Sequence, residues 1–191
     1  MSVPQTSVPV QGAAVFARYD AMAIAFHWLM FILIAVAYAT IELRGFTDKG
    51  TAARMVVMEL HKWTGALVLA LAVPRLLWRL MRGAPAPEPG PRVAHLASAA
   101  GHGLLYLFLF AQPILGLVMT NAAGRFLTVP VLGIDLPPIV APNPELKDVA
   151  KEIHEVLGKA FYLVIGLHAM AALFHHYMLG DNTMRRMRWR R

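Results

Sequence analysis

The sequence predicts an all-α membrane protein in which four transmembrane helices run up and down across the bilayer as a bundle. Of its 191 residues, 58% are hydrophobic and only 15% are charged, whereas about a quarter of the residues in a soluble domain carry charge. Four segments are long and apolar enough to cross a bilayer, which takes about 20 mostly apolar residues. We expect these helices at about 21–41, 58–80, 99–120 and 155–179.

The segments outside this membrane domain, which we place at 21–180, read as tails and short links. Residues 1–20 lack the basic start and cleavage site of a signal peptide, so they are expected to form a flexible tail before an uncleaved first helix. The proline-rich RGAPAPEPGPR between the second and third helices cannot be helical. The basic tail 181–191, which ends in RRMRWRR, is expected to face anionic lipid, and no nucleic-acid partner is predicted.

The second external loop, from Asn121 to about Ile153, is the longest irregular stretch of the chain. It mixes apolar residues with prolines, which favours contact with the membrane surface, and a short amphipathic helix is predicted from Glu145. With both termini placed in the cytoplasm, ten basic and three acidic residues lie on that side, against eight of each outside. The positive-inside rule therefore favours this orientation.

The chain contains eight histidines and no cysteine. The lack of cysteine excludes disulfides, iron–sulfur clusters, thiolate metal sites and covalent haem attachment. Any metal chemistry must therefore use histidine or oxygen ligands, and the histidines inside the predicted helices are the candidates.

Four of these histidines form pairs at two depths in the membrane. His154 and His168 are fourteen residues apart, nearly four helical turns, so they share one face of the last helix about 21 Å apart. The first two helices are antiparallel and place His27 at the cytoplasmic level and His61 at the external level. The predicted pairs are therefore His61 with His154 and His27 with His168.

Paired histidines on facing helices, in apolar surroundings, are typical of b-type haem. The sequence therefore predicts two b haems per chain, with the four paired histidines as axial ligands to the iron. Zinc would require three or four ligands that converge on one point. Depth alone leaves alternatives at the cytoplasmic level, because His102 and His175 also lie there and could be ligands or haem surroundings.

Further residues are expected around the haems. Gly65 and Gly158 each follow a paired histidine by four residues, so they lie one turn along the same helix face and could leave space for a flat ring. Arg75, Arg79 and Arg82 form a basic stripe near the end of the second helix. Such arginines either extend to lipid headgroups or pair with haem propionates.

Several motifs resemble the bacterial cytochrome b561 family. In chain order they are RYDAMAIAFHW, HKWTG with PRLLWRL, GHGLLYLFLFAQPILG and HEVLGKAFYLVIGLHAMAALFHHYMLGDNTMRRM. The resemblance runs from about Arg18 to Met187 and implies a di-haem four-helix bundle in the bacterial inner membrane. The family's ligand motifs match the four histidines paired above, which favours His168 over His175.

The resemblance also implies a function, namely electron transfer to or from ubiquinone. One branch of the family resembles a superoxide oxidase, an oxidoreductase that takes electrons from superoxide on the periplasmic side and reduces ubiquinone. Two other hypotheses are a haem-bearing anchor, which relays electrons between a partner dehydrogenase or hydrogenase and quinone, and a haem-free path for protons or metal ions. The sequence is compatible with a homodimer.

The charges near the external histidines do not form a clear positive funnel for an anion such as superoxide. Equal numbers of lysines and glutamates lie close to them in sequence: Lys62, Lys151, Lys159, Glu59, Glu152 and Glu155. The superoxide hypothesis therefore depends on the resemblance.

Overall fold

The computed structural model describes residues 18–129 and 132–189 and contains four long α-helices. Each of the four is long and apolar enough to cross a membrane. The predicted fold class, an all-α membrane protein with four spanning helices, is confirmed. The helices are α1 (Ala21–Leu43), α2 (Ala52–Arg82), α3 (Arg92–Ala122) and α4 (Pro144–Tyr177).

Three helices begin earlier than the apolar windows indicate, and for α2 and α4 the start is set by a capping side chain rather than by hydrophobicity. The Thr51 side chain accepts a hydrogen bond from the Arg54 backbone N–H at the start of α2. Asn143 does the same for Leu146 at the start of α4, with Pro144 at the first helical position. The helix predicted from Glu145 is present, but it is not a short element of the loop, because this segment is the first part of α4.

The helices pack as two antiparallel hairpins, α1 with α2 and α3 with α4, and α2 also lies against α3. The buried core at this contact consists of Met30, Val68, Ala72 and Leu109. Between α1 and α4 the contacts are made by side chains, such as the rings of Tyr38 and Phe161, whose centroids are 6.4 Å apart. The two hairpins therefore meet most closely where α2 lies against α3.

The second external loop contains a small antiparallel ribbon, β1 (Thr128–Val129) with β2 (Ile134–Asp135). Three large apolar side chains of this loop, Leu132, Ile134 and Ile139, are more than half exposed. A cavity of about 230 Å³ lies between this loop and the end of α3. The exposed apolar groups are compatible with the membrane-surface contact predicted from the sequence.

The C-terminal segment folds back against the ends of the helices that the sequence predicts to be cytoplasmic, which form the cytoplasmic end of the bundle in this prediction. Arg186 forms an ion pair with Glu88 at 2.7 Å and donates a hydrogen bond to the Ala86 carbonyl at 2.6 Å. Trp28 Nε1 donates to the Met187 carbonyl at 3.0 Å. Arg186 is thus used within the protein and does not face lipid as the sequence suggested, whereas Arg185 and Arg188 stay exposed.

Two predicted features fall partly outside the described residues. The flexible tail predicted at 1–20 is described only from Arg18 onward, and the last two arginines of the basic tail lie beyond Trp189.

Candidate functional site

Two histidine pairs bridge the hairpins, one at each end of the bundle. We name them by the predicted orientation: His27 with His168 is the cytoplasmic pair, and His61 with His154 is the external pair. The ring centroids of His27 on α1 and His168 on α4 are 6.3 Å apart. Those of His61 on α2 and His154 on α4 are 6.4 Å apart. Two imidazoles on opposite sides of one metal ion, each bonded at about 2 Å, hold their centroids about 6 Å apart. The spacing within each pair therefore fits one metal ion between two rings.

The external pair is oriented by hydrogen bonds to backbone carbonyls. His61 Nδ1 lies 2.9 Å from the Ala37 carbonyl oxygen, and His154 Nδ1 lies 3.0 Å from that of Gln112. A carbonyl oxygen can only accept, so each Nδ1 carries the proton and each Nε2 has a free lone pair. Histidines that bind metals make this same second contact, which fixes their tautomer and ring orientation.

Gln112 forms two hydrogen bonds with His154, one through its backbone carbonyl and one through its side chain. In addition to its carbonyl contact, its Nε2 donates a hydrogen bond to the His154 carbonyl at 3.1 Å. The space for this side chain comes from Gly158, where an added Cβ would lie 3.2 Å from Gln112 Nε2. The missing side chain of Gly158 thus admits Gln112, whereas a Cβ at Gly65 would meet nothing within 4 Å.

The cytoplasmic pair has a third histidine beside it. The ring centroid of His102 on α3 is 5.5 Å from that of His168, with the planes at 79°. This separation is shorter than two imidazoles on one metal ion would have, so His27 fits better as the partner of His168. His102 Nδ1 donates to the Ser98 carbonyl at 2.7 Å, which leaves its Nε2 free.

His175 is held at the end of α4 rather than at the pair. Its Nδ1 lies 2.7 Å from Asp181 Oδ2, and His176 Nδ1 lies 3.3 Å from the Asp181 carbonyl. The only close ring contact of His175 among the described residues is with Phe174. The structure therefore brings His102 to the cytoplasmic pair and does not bring His175 there.

The three arginines of α2 have different surroundings. The Arg75 guanidinium lies 5.8 Å from the centroid of the Tyr106 ring and is close enough to interact electrostatically with His27 and His168. Arg79 donates to the Gly83 carbonyl at 3.4 Å, and Arg82 stacks on Trp78 at 5.8 Å. Arg75 alone of the three is directed toward the histidines.

A buried aromatic pair lies between the two histidine levels. Phe161 is midway along α4 between His154 and His168, and it is only 4% exposed. Its ring stacks on that of Phe108 from α3, with centroids 4.6 Å apart and planes within 14°. These rings fill the interior between the two levels and exclude water from it.

Some of these residues were missed from the sequence, namely Phe108, Gln112, Gly116 and Phe161. Gly116 lies against the imidazole of His154, since a Cβ there would be 3.4 Å from His154 Cε1. Phe161 had a usable signal, because it is seven residues from both His154 and His168. The others are placed by the contact between α3 and α4, which no local spacing reveals.

The comparisons with known proteins all point to one family. Residues 18–190 match the model of the family described as prokaryotic cytochrome b561. The chain is 35% identical to cytochrome b561 homolog 1 of Escherichia coli over 91% of this chain and 98% of that protein. It is 37% identical to the Yersinia pestis protein named probable superoxide oxidase CybB, over 89% and 95%. Cytochrome b561 homolog 2 of Escherichia coli is 33% identical over 89% and 90%.

Proposed function

The chain belongs to the prokaryotic cytochrome b561 family, and from this premise we propose that it carries electrons across the bacterial inner membrane through two b haems. Membership implies a membrane protein that binds b-type haem and transfers electrons. The observation that supports two haems is the presence of two histidine pairs, at opposite ends of the bundle, with ring centroids 6.3 and 6.4 Å apart.

In this proposal His27 and His168 hold the cytoplasmic haem, and His61 and His154 hold the external one. The residues fit such a cofactor, because each imidazole pair spans the gap between two hairpins and apolar side chains line it. Haem, when bound, supplies reversible one-electron chemistry at its iron. The contribution of the chain is to orient the imidazoles, through the carbonyls of Ala37 and Gln112 at the external level, and to exclude water.

The distance between the two levels suits transfer across the membrane rather than along its surface. His154 and His168 are fourteen residues apart on one helix, which is about 21 Å along the axis. A bilayer core is about 30 Å thick, so one pair lies near each surface. The stacked Phe108 and Phe161 keep the region between them dry and rigid.

For the donor we propose superoxide, which reaches the external pair, and for the acceptor ubiquinone. Two superoxide anions each give up one electron and become dioxygen, and one ubiquinone takes two electrons and two protons to become ubiquinol. Support comes from the relative named as a superoxide oxidase. It also comes from Arg44, which interacts electrostatically with His61 and with Glu155 but forms no close ion pair with any described residue.

Two of the other cations near the external pair are neutralised. Lys62 pairs with Glu59, and Lys151 pairs with Glu155 at 2.9 Å. The sequence shows no positive funnel near the external histidines, and these ion pairs agree with that observation. Arg44 is the cation best placed to attract an anion to His61, since charges of opposite sign raise the local concentration of a substrate.

Single histidine variants test the ligand assignment. We expect His27→Ala and His168→Ala to lose the same haem, and His61→Ala and His154→Ala to lose the other, since each haem requires both axial ligands. Haem is counted per chain in detergent-purified protein, and the retained haem is identified by redox titration. His102→Ala and His175→Ala are the controls and should retain both haems. Loss of a haem in His102→Ala, with retention in His27→Ala, would contradict the assignment.

Ionic strength tests the donor. We expect superoxide-driven reduction of the haems to slow as salt is added, because salt screens the attraction between an anion and Arg44. Arg44→Gln should slow the reaction several-fold and weaken its salt dependence. Lys49→Gln removes an exposed cation of the same external loop and should change little. Haems that superoxide does not reduce at any salt concentration would eliminate this donor and point to a protein donor instead.

A further inference from the structure

Arg75 is a cation inside a membrane helix with no anionic partner among the described residues. It lies seven residues before the end of α2, about 10 Å inside the helix end. The ion pairs of the described chain all involve other residues. Ionisable groups at such depths are costly unless they are paired, and they usually mark a functional site.

Arg79 and Arg82 differ from Arg75 in this respect. They are closer to the cytoplasmic end of α2, are exposed, and use the Gly83 carbonyl and the Trp78 ring. Their positions suit contact with lipid headgroups. Arg75 is half-buried, lies against Tyr106 and is directed toward the histidines, so the same explanation does not account for it.

One unused hydrogen-bond donor lies beside Arg75 on α3. His102 and Tyr106 are four residues apart and therefore share one face of that helix. The Tyr106 hydroxyl has no hydrogen-bond partner among the described residues, whereas His102 Nδ1 donates to the Ser98 carbonyl, so that its Nε2 has a lone pair and does not donate. The guanidinium and the phenol thus present donors between α2 and α3, on the helix face that also brings His102 next to the ring of His168.

We propose that Arg75 and Tyr106 form a binding site for a carboxylate, and that this carboxylate is a propionate of the haem held by His27 and His168. This inference rests on the proposed function. A guanidinium beside a neutral hydroxyl donor matches a carboxylate in charge and hydrogen bonding. Arg75 interacts electrostatically with both His27 and His168, so the anion it binds must be near the same pair. A lipid phosphate is the other source of such an anion.

The site has a consequence for the haem that can be measured. Removing the positive charge leaves a propionate uncompensated near the iron, which disfavours the reduced and more negative state. Arg75→Gln should therefore lower the midpoint potential of one haem and shift the carboxylate band in its redox-difference infrared spectrum. Arg79→Gln, the matched control one turn away, should change neither property. Arg75→Lys keeps the charge and should restore the potential in large part.

Tyr106→Phe keeps the packing and provides a second test where Arg75→Gln does not fold. It should shift the same carboxylate band without loss of haem. All variants are purified as full-length chains. The number of haems per chain is measured for each of them. Unchanged potentials and unchanged carboxylate bands in Arg75→Gln and Tyr106→Phe would overturn the inference. So would loss of bound phospholipid, measured by native mass spectrometry, if the carboxylate bands were unaltered.

Failure of the proposed function would be distinguishable from failure of this inference. A wild-type chain that folds but binds no haem contradicts the proposed function itself. If the wild-type chain binds two haems and the carboxylate bands are the same in Arg75→Gln, only the proposed carboxylate site is contradicted.

Discussion

Asp20 shows how one side chain connects two helices at the cytoplasmic end. Its Oδ1 accepts hydrogen bonds from the backbone N–H groups of Met22 and Ala23, both at 3.0 Å, and so caps α1. The same oxygen accepts from Trp78 Nε1 on α2 at 3.0 Å. Burial alone would raise the pKa of Asp20, but the hydrogen bonds from Ala23, Trp78 and Met22 outweigh it and hold the pKa below the usual 3.8.

We expect Asp20→Ala to lower the free energy of unfolding by about 1–2 kcal/mol, because it removes a helix cap and leaves Trp78 unpaired. Asp20→Asn retains an acceptor oxygen and should cost less than half as much. The measurement is unfolding in detergent, followed by helix content. Equal stability of Asp20→Ala and the wild type would contradict the role given to this side chain.

The lowered pKa adds a pH dependence with a defined sign. A carboxyl group whose pKa is lower in the folded state stabilises the fold above its unfolded pKa, and this contribution is lost as pH falls through the folded value. The wild type should therefore lose stability below about pH 3.8 more steeply than Asp20→Asn, which has no charge to lose.

The sequence could predict which histidines are paired but not all that supports them. A spacing of fourteen residues places His154 and His168 on one face wherever the helix lies. Gln112 could not be assigned, because its contact with His154 depends on the relative height of α3 and α4. That height is set by packing over the whole interface, where Gly116 and Gly158 permit close approach.

At the scale of elements, hydropathy locates the membrane-spanning part of each helix but not its ends. The apolar windows stop where charged residues begin, whereas the helices continue through polar turns to capping residues such as Thr51 and Asn143. The sequence also could not predict that the C-terminal segment packs against the ends of the helices. Arg186 looks in sequence like its neighbours Arg185 and Arg188, and only the position of Glu88 across the bundle distinguishes it.

We expect the pair of Arg186 and Glu88 to fasten the C-terminal segment to the link between α2 and α3. Their side chains are 13% and 19% exposed, so the pair is largely shielded from solvent. Arg186→Gln and Glu88→Gln should each destabilise the folded chain by about 1–3 kcal/mol and make the link easier to cleave by proteases. Thermal unfolding and limited proteolysis measure the two effects.

Arg185→Gln is the control for this pair, since Arg185 is exposed and adjacent. The double variant tests whether the two residues act together. Its destabilisation should be smaller than the sum of the single effects, with a coupling of about 0.5–3 kcal/mol. Fully additive effects would mean that the two side chains act independently.

At the scale of the whole molecule, the fold was predictable because a bilayer permits few solutions. Backbone polar groups in lipid must be satisfied within the chain, so four long apolar segments imply four helices. The division into two hairpins with histidines between them was harder to predict from the sequence. It depends on small residues such as Ala72 and on the stacking of Phe108 on Phe161, which are contacts between distant parts of the chain.

The central claim is that each histidine pair holds one b haem, and the haem count tests it most directly. The measurement is a dithionite-reduced minus oxidised spectrum of the detergent-purified chain, with haem quantified per polypeptide. The account predicts two b-type haems per chain, with axial imidazole ligands. A single haem would mean that one pair, 6.3 or 6.4 Å between centroids, serves another purpose. A folded chain without haem would contradict the account.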